Sequence, residues 1–146
     1  MIIYVECSPD EILIRRLTGL PRRRVIHELK GKYEVLKRLS EQSDLWAVVD
    51  EAPNSHVPPY LNQMSLIENL SDDGIKVFQD RSRRNRVVVL TPRLEKWIVA
   101  AAKTAGIKMA DYGLPDDPAD CIGTLTQTSG NTRCCYMRWM KLPQKG

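Results

Sequence analysis

Glu6, Asp10, Asp50 and Glu51 are the residues of this sequence whose types and positions suit metal chemistry. Glu6 ends a short apolar run, Ile2 to Val5, and Asp50 ends another, Leu45 to Val49. Glu51 follows at once, and Asp10 falls in the first turn of an expected helix. In a parallel α/β sheet, ligands bind outside the carboxyl ends of the strands. If the two runs are neighbouring strands, Glu6 and Asp50 share one edge. Carboxylates crowded there repel one another unless a cation neutralises them, and hard oxygen ligands suit Mg²⁺ or Mn²⁺. The plainer alternative is that strand ends reach solvent, where acids are common, and that Asp10 and Glu11 complement a helix dipole. Gly31-Lys32 opens a second helix near the same edge, where Lys32 could hold a phosphate at a helix N-terminus. This is not a P-loop, because the upstream glycine and the following Ser or Thr are missing.

The arginines form a second candidate site. Arg22, Arg23 and Arg24 are consecutive, and Arg81, Arg83, Arg84 and Arg86 lie within one six-residue stretch. Each cluster precedes an expected strand, which places both on the sheet edge opposite the acids or on flanking loops. Phosphate contact is the functional reading and a solvated loop the ordinary one. Among aromatic residues only Phe78 is near, so base stacking on a platform is not indicated. His27, at a strand end, could serve as a general base or a phosphate contact, a structural histidine being the plainer reading, and His56, in a proline-rich loop, has no partner evident from the sequence.

The elements that must position these residues are legible in the first fifty positions. Ile2 to Glu6 reads as a short buried strand. Ser8, Pro9 and Glu11 then suit an N-cap, a first helical position and a capping box, and Gly19 and Pro21 end the helix. Val25-Ile26-His27 is a second strand. A helix over about Lys30 to Ser40 follows, with Tyr33, Leu36 and Leu39 at helical spacing. Leu45 to Asp50, continuously apolar until its last residue, suits a strand buried on both faces. The β-α-β-α-β order predicts an α/β fold: a central, largely parallel sheet of four or five strands flanked by helices. Further on, the pattern predicts a helix over Leu61 to Leu70, strands at Ile75 to Phe78 and Val87 to Leu90, and a helix from Thr91-Pro92 to about Thr104. Arg133 to Leu142 fits either strand or helix.

A chain of 146 residues suits one domain, with a core over about 2–106 and an extension over about 107–146. Its 42% hydrophobic and 27% charged residues are ordinary for a globular protein and exclude a disordered chain. The longest apolar run, Trp97 to Ala102, is far short of the ~20 residues of a membrane span. Met1 to Val5 is too short and lacks the basic flank of a signal peptide. The net charge of +4 permits a nucleic-acid partner without requiring one. Cys7, Cys121, Cys134 and Cys135 form no CxxC pair, which disfavours structural zinc and suits reduced thiols in a cytoplasmic protein.

Tyr4-Val5-Glu6-Cys7-Ser8-Pro9-Asp10 resembles the V-E-G-x-x-D opening of Toprim domains, found in topoisomerases, primases and overcoming-lysogenization-defect nucleases. Gly31-Lys32 stands where many nuclease-like members have a glycine-lysine pair, and Val48-Val49-Asp50-Glu51-Ala52 occupies the place of the D-x-D strand end. Leu90 to Trp97 and Tyr112 to Pro115 are similar to small stand-alone Toprim-like proteins of prokaryotes. The resemblance covers residues 2 to about 60 well and 87 to 115 loosely. It implies metal-assisted phosphodiester cleavage or transfer, with Glu6 as acid/base or metal ligand, Asp50 as an Mg²⁺ ligand and Lys32 adding charge near the transition state. Two positions depart from the pattern: Cys7 replaces the glycine, and Ala52 replaces the second aspartate of D-x-D. The sequence therefore leaves two classes open. One is a divalent-metal-dependent nuclease. The other is a catalytically inactive Toprim-like module that binds nucleic acid, a protein partner or a second copy of itself.

Overall fold

The computed structural model describes residues 1–28, 31–51, 58–112 and 115–117. The chain groups into two compact units, Met1–Leu94 and Glu95–Gly146. The first unit carries six strands: β1 Ile2–Val5, β2 Val25–His27, β3 Leu45–Asp50, β4 Ser65–Leu70, β5 Ile75–Asp80 and β6 Asn85–Leu90. Its helices are α1 Ser8–Thr18, α2 Gly31–Glu41 and the short α3 Pro59–Asn62, and α4 begins at Leu94 and runs to Thr104.

The strands form one sheet in the order β2-β1-β3-β6-β5-β4. The four strands from β2 to β6 are parallel, and β5 and β4 are antiparallel additions at one side. The α/β class with a largely parallel sheet is therefore observed, with six strands in place of four or five. β1 lies between β2 and β3, so Glu6 and Asp50 do leave adjacent strands at the same edge.

β1 and β3 are central, and both faces of each are covered, which is why they read as unbroken apolar runs. One face of the sheet supplies Tyr4, Leu45, Ala47, Val49, Val87 and Val89 to a cluster with Val35, Leu36 and Leu39 of α2. Tyr60 of α3 and Met64 complete it. α1 packs on β1 and β2, where Leu13 and Val25 are buried.

Local sequence explains most of the helix limits. α1 starts one residue earlier than its Ser8–Glu11 pattern predicts. Its N-cap is Cys7, and Asp10 is the third helical residue that reaches back to it. Gly19, at φ 69°, ends α1 with its amide on the Arg15 carbonyl at 3.0 Å. In α2 the buried residues are Val35, Leu36 and Leu39, whereas Tyr33 is 57% exposed. Tyr33 thus lies outside the apolar face to which its spacing assigned it. Leu17 of α1 is likewise exposed.

The predicted helix over Leu61 to Leu70 is the main correction. The chain makes one helical turn, Pro59–Asn62, then turns into the edge strand β4. A hairpin through Ser71-Asp72-Asp73-Gly74 joins β4 to β5, with Gly74 at φ 67°. Antiparallel pairing with β5 overrides the weak helical spacing of Met64 and Ile67. α4 begins at Leu94, after a cis Thr91–Pro92 bond, not at Thr91. Beyond α4 a 3₁₀ turn, Met109–Tyr112, is held by the Met109 amide on Asp116 Oδ1 at 3.2 Å. The readings for His56, Ala52, most of the proline-rich loop and Arg133 to Leu142, and the three later cysteines, lie outside the described residues.

Candidate functional site

The carboxyl-terminal edge of the parallel strands gathers Glu6, Asp10, Asp50, Glu51 and Lys32 as expected, but it employs most of their atoms in holding the chain. Glu6 Oε1 accepts the Asp50 amide at 2.8 Å, so the first strand end fixes the third. Asp50 Oδ1 accepts the Leu94 amide at 3.0 Å. Asp10 Oδ2 accepts both the Cys7 amide at 3.2 Å and the Cys7 thiol at 3.0 Å. Lys32 Nζ donates to the Glu51 carbonyl at 2.8 Å. The Glu51 carboxylate turns to β5, where Lys76 Nζ lies 2.7 Å from Oε1. Lys76 had no sequence signal, since only the antiparallel register places it there. His27, at the end of β2, sits 3.3 Å from Ser8 Oγ through Nδ1.

The crowding has electrostatic consequences. Burial pushes the Glu6 carboxyl up to about 7, with the Asp50 charge adding to it. The Asp50 amide bond and nearby Lys32 act against the rise. Burial also pushes Asp10 up to about 7, against its bond from the Cys7 thiol and with the charges of Asp50 and Glu6 adding. The Cys7 thiol is raised far above its ordinary range by burial and then by Asp10, so it stays protonated and serves as a donor rather than a nucleophile. Glu51 is lowered by its hydrogen bond from Lys76.

One oxygen bears on a cation directly. Asp10 is 3% exposed, and its Oδ1 is buried with no hydrogen-bond partner among the described residues. Against this, no three His, Cys, Asp or Glu side chains among the described residues form a ready-made cation site.

The opposite edge is basic. Val25, Ile3, Trp46 and Arg86 occupy one row across β2, β1, β3 and β6. The 3₁₀ turn Arg22–Arg24 and the turn before Asn85 therefore start from the same level, three strand spacings or about 14 Å apart. Four of the seven arginines have partners. Arg22 stands 3.4 Å from Glu11, Arg83 stands 3.5 Å from Asp80, and Arg86 lies over the Trp46 ring. Arg84 makes a two-pronged pair with Asp44, at 2.6 Å on each oxygen. Arg23, Arg24 and Arg81 are exposed and pair with no described acid. Even the Arg22 side chain is 82% exposed.

Behind the second turn lies a residue that spacing did not single out. Asn85, wholly buried, accepts the Leu45 amide at 2.9 Å. Its amide nitrogen donates to the Leu39 and Gln42 carbonyls at 2.7 and 2.8 Å and contacts the Tyr60 hydroxyl at 3.0 Å. It ties the end of α2, the start of β3 and α3 to the base of the arginine turn.

Compared with known proteins, the chain matches no family model, no curated protein and no solved structure.

Proposed function

We propose that this protein is a Toprim-like module that binds nucleic-acid phosphates through its basic edge without cutting them. The observation that carries this reading is the common level of the two arginine turns, with Arg23, Arg24 and Arg81 exposed and unpaired among the described residues. Guanidinium groups on two turns about 14 Å apart can touch separate phosphates of one strand or of two. Such contacts carry no sequence preference. Asp44, Asp80 and Glu11 offset part of the charge at this end, and the exposed Arg23, Arg24 and Arg81 leave an excess of positive charge that steers a polyanion to it. At the acidic edge, Glu6 and Asp50 are occupied as acceptors for backbone amides. The test is fluorescence anisotropy with a labelled duplex across a salt series. Three or four contacts give a slope of roughly −3 in log K against log salt. Absence of binding at low salt overturns the reading.

A second reading, metal-dependent cleavage, is favoured by one feature: the buried, unpartnered Asp10 oxygen beside Glu6 and Asp50. Calorimetric titration with Mg²⁺ and Mn²⁺ at pH 8, above the raised values of Glu6 and Asp10, tests it. Binding that disappears in Asp10→Asn supports it, and no heat at millimolar metal removes it.

A further inference from the structure

We propose that the pocket between α2 and α3 holds a single unpaired nucleotide, its base against Tyr33 and its phosphate at Lys37. The pocket has a volume of about 250 Å³. That is just under the roughly 300–1,000 Å³ of sites for drug-sized ligands, so it suits one flat ring rather than a folded segment. Tyr33, Lys37 and Ser40 form its α2 wall, at successive turns of one helix face. Pro59, Tyr60 and Gln63 are among the residues that form the other side.

Three features select the ligand chemistry. The lining offers flat, apolar surface: the Tyr33 ring, more than half exposed on a helix whose other large apolar residues are fully buried, and the proline ring opposite. Among the described lining residues the one charge is the Lys37 ammonium, which pairs with no described acid, and none is a carboxylate. Gln63 supplies an amide that can both donate to and accept from a base edge. A nucleotide meets all three demands: a flat base, polar groups on its edge and a negative phosphate. Stacking on tyrosine with a cation at the backbone is how single strands are held without sequence preference.

The pocket also connects to the basic edge. The Tyr60 hydroxyl in its floor donates to Asp80 Oδ2 at 2.8 Å and is met by Asn85, which fixes the ring. The same Asp80 oxygen holds Arg83 at 3.5 Å, in the turn that presents Arg81. A strand with one base in the pocket can thus continue along the arginine turn. In that form the inference rests on the nucleic-acid reading above, whereas a free mononucleotide would use the same contacts alone.

The experiment separates these sources. The full chain is titrated with a labelled oligothymidylate and a matched duplex by anisotropy, and with adenosine monophosphate by amide chemical shifts. Tyr33→Ala, Tyr33→Phe and Lys37→Ala are compared; both positions are exposed, and circular dichroism checks the fold. The expected result is single-strand binding roughly tenfold weaker in Tyr33→Ala, about unchanged in Tyr33→Phe, and duplex binding unaffected. Lys37→Ala should flatten the single-strand salt slope by roughly 0.7. Shifts at residues 33, 37 and 63 with the monophosphate but no oligonucleotide binding support the pocket as a free-nucleotide site and remove the nucleic-acid reading. Single-strand binding that Tyr33→Ala leaves unchanged overturns the pocket and leaves the arginine edge standing. Duplex binding alone overturns the pocket and leaves the arginine edge standing, and if none of the three probes binds, both fall.

Discussion

Glu6 and Asp10 each take up a proton near pH 7 in the fold and near pH 4 in the unfolded chain. Between those limits the native state binds more protons, so stability must fall as pH rises through the window. Their contribution is fully present below about pH 4 and is lost by about pH 7–8. Asp80 acts in the opposite sense. Bonds from Ser82, Tyr60 and the Arg83 amide hold it well below the usual carboxylate range, so its contribution is present above pH 4 and lost in acid. The two effects together place the stability maximum near pH 4. Urea unfolding from pH 5 to pH 8 should show a decline on the order of 5 kcal/mol. Glu6→Gln and Asp10→Asn should each flatten that limb, because the amide side chain cannot ionise. A stability that rises over this interval in the wild-type protein would contradict the burial of both carboxyls.

At the scale of elements, Asn85 is the joint on which α2, α3, β3 and β6 meet, and its removal tests how far they depend on it. In Asn85→Ala the Leu45 amide loses its acceptor, and the Leu39 and Gln42 carbonyls lose their donor, in a site closed to solvent. The expected loss is about 3 kcal/mol, read as a lower urea midpoint at unchanged slope. A loss below about 1 kcal/mol would mean that water replaces the side chain. None of this network was legible in the sequence, where Asn85 appears as one polar residue in an arginine-rich turn. By contrast, β1, β2, β3, α1 and α2 were readable because each declares itself locally, through an apolar run or through caps such as Gly19. β4 was not. It is an edge strand, exposed along its length, with no alternation to mark it, and its Leu66, Ile67 and Leu70 fit a helix as well as a strand. The acidic edge was legible for a related reason. Parallel order puts strand ends at one edge, and the neighbouring of β1 and β3, a condition the β-α-β-α-β pattern left open, sets Glu6 beside Asp50. What their oxygens hold depends on backbone amides at Asp50 and Leu94, which no spacing rule reports.

Across the sheet as a whole, the charges at its basic end are unequal in a way that side-chain type alone does not show, and this sets the last prediction. Arg23, Arg24 and Arg81 stand exposed without a described acid, whereas Arg83, Arg84 and Arg86 are engaged. Arg84 and Asp44 join two turns in which both residues have positive φ, and the Asp44 amide bonds the Arg83 carbonyl at 2.9 Å. Arg86 covers the Trp46 ring at 4.9 Å, a contact worth roughly 0.5–1 kcal/mol at a site of this kind. Two triple variants should therefore behave differently. Arg23, Arg24 and Arg81 replaced by alanine should flatten the duplex salt slope by roughly 2 or more, at 0.9 per lost phosphate contact, and leave thermal stability nearly unchanged. Replacing Arg83, Arg84 and Arg86 should change the slope by less than about 1 and lower stability measurably. Equal flattening by both would mean that bound phosphates open the ion pairs with Asp44 and Asp80, and the exposed trio would lose its special standing. A wild-type slope that neither variant alters would show that binding, if any, is made elsewhere on the molecule.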